Sequence, residues 1–196
     1  LTRLADGDIS AAVPMAREIV KREKTEAIPK LILLVDAVER NDLAAADKLL
    51  AGFPDRGFTG FIKPLVASWV TVGKSGDANP VEALSPLKNQ SGLRVVYELH
   101  AALLSDVLGH TADAEKHYKL AAKNVSRSTL RVVQGYGRHL ERSGKIEHAR
   151  LLYDTYLTEN PDSVVLGPAM ARLDKGVKPD LLVSTPGEGI AEALFN

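Results

Sequence analysis

The sequence predicts an all-α protein built from a repeated helix–turn–helix unit, an elongated stack of antiparallel helix pairs. Three observations lead there. A short signature recurs at a near-constant spacing. Apolar residues before and after each signature are three and four apart, which is helical spacing. Each signature opens on Gly or Asn, the residues that tolerate the positive φ common at helix C-termini. The signature reads Gly7-Asp8-Ile9-Ser10-Ala11-Ala12, then Asn41-Asp42-Leu43-Ala44-Ala45-Ala46 at an offset of 34. It returns at Gly109 through Ala114, 68 residues or two periods beyond Asn41, and at Gly144-Lys145-Ile146-Glu147-His148-Ala149, 35 further on. A weaker copy, Gly76-Asp77 followed by Val81-Glu82-Ala83-Leu84, lies between. Periods of this length belong to stacked repeats, in which no unit buries its apolar face alone.

The elements follow in order. Leu99, Ala102, Leu103 and Val107 form the apolar face before Gly109, and Ala114, Tyr118 and Ala121 the face after it. The same reading makes Phe58 to Val72 a helix. Asn89-Gln90-Ser91-Gly92 is a break that predicts a bend rather than a domain linker, because the repeat phase survives across it. Pro179, Pro186 and Gly187-Glu188-Gly189 interrupt the pattern. Residues 176–196 therefore read as an extended connector, Asp180 to Thr185 in particular, followed by a new helix from about Glu188. The array occupies residues 1–175, about five helix pairs with the first incomplete. Ile190, Leu194 and Phe195 form an apolar stripe that stops abruptly, and the chain begins on Leu1, so it reads as a piece of a longer protein.

Composition sets the bounds. The 196 residues are 45% hydrophobic and 26% charged, ordinary for a folded protein. Lys+Arg and Asp+Glu are 25 each, so no global basic footprint for nucleic acid exists. Cysteine is absent, which excludes disulfides, thiol nucleophiles and Cys-ligated metals. The longest apolar run, Leu31 to Val35, is far too short to span a bilayer. No signal-peptide pattern is visible.

The unit resembles the tetratricopeptide repeat. That family has a small residue midway along the first helix, a turn Gly, a small residue and an aromatic in the second helix, and a closing Pro. The copy from about Thr129 to Pro161 carries Gly137, Gly144, Ala149, Tyr153 and Pro161. The copy from about Val95 to Ser126 carries Ala102, Gly109, Ala114, Tyr118 and Ala121, with Ser126 in place of the Pro. The copy around Asn41 departs at Leu34 and ends near Phe53-Pro54, and the one around Gly76 diverges most. The resemblance implies a right-handed superhelical solenoid whose first helices line a concave groove, with Tyr118 and Tyr153 filling the space between units. The whole chain also looks like a group of exported bacterial repeat proteins. That likeness implies the periplasm or cell envelope, with the cytoplasm as the alternative.

Candidate sites are few. Gly73-Lys74-Ser75 has Ser68 where a phosphate-binding loop needs Gly, and a helix where it needs a strand. His100, His110, His117, His139 and His148 lack metal-site spacing and read as surface or satisfied interior histidines. No serine nucleophile elbow is present, and the many Asp and Glu read as helical surface. Asn89-Gln90-Ser91 and Asn124-Val125-Ser126 match the short glycosylation pattern, which chance explains. No catalytic residue, metal or cofactor is assigned.

One charge feature stands out. Residues 116–150 hold nine Lys/Arg and two Glu, a net of +7 in a neutral chain. Arg131, Arg138 and Arg142 lie seven and four apart, on one helical stripe with Gln134 between them. In the register that the resemblance supplies, Val133, Gly137 and Leu140 face the partner helix, while Arg131, Gln134, Arg138 and Glu141-Arg142 line the groove. The preceding unit places Leu99, His100, Leu103 and Asp106 there. Leu31, Ile32 and Val35 correspond in the second unit, and Val66, Trp69 and Val70 in the third. Arginine suits a carboxylate by its bidentate geometry, so the expected partner is a protein or an acidic peptide. A solvated basic face competes with that reading, as packing between units does for Trp69. The arrangement does not match the Lys/Asn clamp that some family members use for chaperone tails.

The expected function is therefore a non-catalytic scaffold that binds a peptide or protein in its groove. The alternative is an assembly module that oligomerises through its terminal helices, motivated by Ile190, Leu194 and Phe195. A nucleic-acid role for the basic stretch is disfavoured, since regular aromatic interleaving for base stacking is missing.

Overall fold

The computed structural model describes residues 11–23, 26–74, 78–90 and 92–195. Among these the chain is all-helical, with no strand. The signatures at Gly7–Ser10 and Gly76-Asp77, together with Ser75, Ser91 and the side chain of Phe195, lie outside the described residues. In order, the helices are α1 (Val13–Arg22), α2 (Ala27–Glu39), α3 (Leu43–Ala51), α4 (Gly57–Val72), α5 (Ser85–Lys88), α6 (Arg94–Val107), α7 (Thr111–Ala121), α8 (Leu130–Arg142), α9 (Ile146–Glu159), α10 (Gly167–Asp174) and α11 (Pro186–Phe195). By their packing the helices fall into two compact units. The first is Leu1–Leu84 with Thr185–Phe195; the second is Ser85–Ser184.

The signature turns have one construction. Asn41, Gly109 and Gly144 have φ of 57°, 75° and 73°. At each, the residue after the turn closes the helix end: Asp42 N donates to Ala37 O at 2.8 Å, His110 N to Ser105 O at 2.8 Å and Lys145 N to Leu140 O at 2.9 Å. This is the six-residue closure that satisfies otherwise orphaned carbonyls. Gly176, with φ of 64°, repeats it through Val177 N to Arg172 O at 3.1 Å. After Gly176, however, no helix follows until Pro186, and residues 177–184 run as a non-helical segment.

In the first unit α2 packs on α1 and α3, and α11 packs on α4 and α2. Leu34, Ala46, Leu65, Val66, Trp69 and Ile190 are wholly buried. The start of α11 is set by a reciprocal cap. Glu188 N donates to Thr185 Oγ1 at 3.2 Å, and Thr185 N to Glu188 Oε2 at 3.3 Å. Pro186 then takes the first helical position, where its missing N–H costs nothing. The helix thus begins two residues before the expected Glu188. Of the expected terminal stripe, Ile190 is wholly buried in the first unit and Leu194 is half-buried, while the Phe195 side chain lies outside the described residues.

In the second unit α6 packs on α7, α8 on α7 and α9, and α10 on α9. Val133, Leu140, Ala149, Tyr153, Leu166 and Leu173 form its lower core. Of the two tyrosines expected between units, Tyr118 reaches the next helix pair and Tyr153 packs within its own. The Tyr118 ring lies against Gly135 and that of Tyr153 against Gly137.

Candidate functional site

The stripe on α8 is the feature around which a site forms. Thr129 caps the helix by accepting from Val132 N at 3.4 Å, which fixes its start and the phase of its faces. Val132, Val133 and Leu140 turn inward, while Arg131, Gln134, Arg138 and Arg142 are half-buried on the other side. That face is not open to solvent throughout. The segment 177–184 passes along it. Arg138 Nη1 donates to Leu181 O at 3.4 Å, and Leu182 Cδ2 lies 3.3 Å from the place of a Cβ on Gly135. Pro179 and Val183 are buried, whereas Asp180 is exposed. The chain therefore lays a non-helical stretch of itself on the face expected to receive a peptide.

At the turn end of this face α6 and α8 bring charged groups together. Asp106 Oδ1 accepts from His139 Nδ1 at 2.9 Å and pairs with Arg142 Nη2. Tyr118 Oη donates to Asp106 Oδ2 at 3.3 Å. Burial would raise the Asp106 carboxyl, but the hydrogen bonds from His139 and Arg142, with their charge, outweigh it and hold the group below the usual range. Nearby, Lys119 and Lys145 bind Glu115 at 2.8 and 2.6 Å and hold its carboxyl low, at about 2. An open cavity of about 560 Å³ runs between these groups and is also lined by Lys178 and Leu181. Arg142 Nη1 and His139 Nε2 are buried with no hydrogen-bond partner among the described residues.

The same device recurs one unit on, turned inward. Asp106 and Glu141 each stand three residues before a turn Gly, and Tyr118 and Tyr153 each lie twelve residues beyond them. Tyr153 Oη donates to Glu141 Oε1 at 2.7 Å, and Arg172 binds Glu141 with two bonds of 2.9 Å. Glu141 is 4% exposed, so its expected place on the groove is corrected: it fastens α10 to α8 and α9. His139, Tyr118 and Arg172 were not among the expected groove residues. The available signal was the acid three residues before each turn.

The remaining expected groove residues are placed otherwise. Leu99, His100 and Leu103 are interior, in a run from Tyr97 to Ser105 that is buried on every side of α6. A helix buried on every side presents no groove face, so of the expected α6 set only Asp106 lines the cavity. Burial pushes the His100 imidazole down to about 4. Trp69 is wholly buried beneath Gly189, where an added Cβ would stand 2.0 Å from its ring. Its role is packing, as it is for Val66 and Val70, and Leu31 and Val35 are also buried. Two tyrosines, Tyr118 and Tyr136, do lie in the basic stretch. They stack on each other at 5.8 Å and Tyr118 is wholly buried, so they offer no paired platform for bases.

No group of metal-ligating side chains is present among the described residues, and no described helix is long and apolar enough to cross a membrane. Comparison with protein-family models, curated proteins and solved structures gave no match.

Proposed function

We propose that the chain is a non-catalytic scaffold of the tetratricopeptide type, a solenoid of helix pairs that binds an extended peptide along α8. One observation carries the reading: residues 177–184 already lie on that face, held by a side-chain bond to a backbone carbonyl and by a leucine against a glycine. Hydrogen bonds to the main chain combined with side-chain pockets are a recurring way of holding an extended peptide. The recurring turns at Asn41, Gly109 and Gly144 support the repeat reading. The charged cavity does not favour catalysis, because Asp106 and Glu115 are already engaged by neighbouring donors. The assembly alternative is weakened by the burial of Ile190, one of the three residues that motivated it.

Panning a random peptide-display library against the whole chain tests the proposal. Selected peptides should bind the native chain and lose at least about tenfold in affinity to an Arg138→Glu variant of unchanged helicity. Enrichment of no peptide, or binding indifferent to Arg138, contradicts it.

A further inference from the structure

Residues 177–184 suit the face on which they lie only in part. The match is good where the segment is apolar: Leu182 meets Gly135, and Val183 is 2% exposed. It is poor around Leu181. That residue lines the charged cavity, yet its one acceptor, the carbonyl, is taken by Arg138. One turn further along α8, Arg142 Nη1 is buried with no partner, and so is Nε2 of neighbouring His139. Asp106 already accepts from His139, Arg142 and Tyr118. The carboxylate next in sequence, Asp180, is exposed. Arg138 thus binds Leu181, Arg142 lines the same cavity as Leu181, and Arg142 Nη1 has no hydrogen-bond partner among the described residues. Buried polar groups in native structures are almost always satisfied, by protein, water, an ion or a ligand.

We propose that residues 177–184 are a displaceable stand-in, and that the ligand of this face is an extended peptide with a carboxylate side chain where Leu181 now sits. The proposal rests on the peptide-scaffold reading and specifies its partner. The incoming carboxylate accepts from Arg142 Nη1 and from the Arg138 guanidinium released by the Leu181 carbonyl. Apolar residues in the next two positions replace Leu182 and Val183. Binding in trans and release of the chain's own segment are then one event, so the apparent affinity is lowered by the work of displacement.

Two fluorescein-labelled octapeptides test this on the whole chain. One has the sequence of residues 177–184, and the other carries the Leu181→Glu change. The Glu peptide should bind about tenfold tighter or better, the worth of a charge-assisted bond. The preference should vanish in Arg142→Gln and, as a second variant should that one fail to fold, in Arg138→Gln. Saturation with the Glu peptide should speed hydrogen exchange at the amides of 177–184 in the unmodified chain. Equal affinity for the two peptides overturns the proposal. So does tight binding with exchange at 177–184 unchanged, although the scaffold reading then survives. If neither octapeptide nor any display-selected peptide binds, both readings fall together.

Discussion

The phenol oxygen of Tyr153 stands where a side chain on Gly137 would begin: an added Cβ would meet it at 2.1 Å. Helix α8 therefore has no Cβ at this crossing, and α9 fills the space with an aromatic ring. The ring is also fixed from its far end, because its hydroxyl donates to Glu141 at 2.7 Å. Burial and that bond together raise the Tyr153 hydroxyl well above its ordinary value, so it remains a donor throughout the physiological range.

Gly137→Ala should destabilise the chain despite the better helix propensity of alanine. Propensity favours the change by about 1 kcal/mol. Overpacking against a ring that cannot withdraw costs about 1–3 kcal/mol, and the clash is severe enough to place the cost at the upper end. Urea unfolding followed by far-ultraviolet circular dichroism measures the balance. A variant more stable than the parent would show that Tyr153 yields.

The Glu141–Arg172 pair should show strong coupling. Removing either partner leaves a buried charge uncompensated, at about 3–5 kcal/mol. Glu141→Gln and Arg172→Met should each destabilise, and the double change should cost clearly less than the two singles combined. A double-mutant cycle in urea reads this directly. Additive losses would mean that the two bonds of 2.9 Å contribute little.

Stability should rise with pH between about 4 and 6.5 because of His100. Burial pushes this imidazole down to about 4, so the native chain holds it neutral where the unfolded chain binds a proton. The unfolded state then carries more protons, and unfolding free energy grows with pH by on the order of 3 kcal/mol across the window. Asp106 and Glu115 act in the same direction at lower pH, since their carboxyls are held low. The difference between the parent and His100→Gln isolates the imidazole. Parallel pH profiles for the two would place the proton elsewhere.

Asn41→Gly should stabilise the first unit by about 0.5–1 kcal/mol, because the backbone there sits at φ 57°, which a Cβ disfavours. Asn41→Val should destabilise it by more. Fluorescence of Trp69, which is buried in that unit, reports both transitions.

Much of the local structure was legible because single residues encode it. Asn41, Gly109 and Gly144 announce left-handed turns by identity, and the small residues at Gly137 and Ala149 announce close helix crossings. What covers an apolar face was not legible. The spacing of Ile190 and Leu194 identifies a stripe but not its mate, and only the fold shows α11 returning to α4 over Trp69. The same ambiguity misplaced Leu99, His100 and Leu103: periodicity within α6 cannot separate a groove from a helix enclosed on all sides. Asp106 and Glu141 were read onto the groove face, but their shared place three residues before Gly109 and Gly144, and the tyrosine twelve residues on, were the missed signal. The lie of 177–184 along α8 has no sequence signature beyond its prolines, because a single side-chain bond to a carbonyl leaves no trace in residue identity.

The central claim is that the α8 face receives a peptide. Amide chemical-shift mapping on the isotope-labelled chain, titrated with a display-selected peptide, tests it most directly. The account predicts saturable shifts concentrated at Arg131, Gln134, Gly135, Arg138 and Arg142 and in residues 177–184. Shifts confined to the first unit, or to the outward faces of α7 and α9, would contradict it.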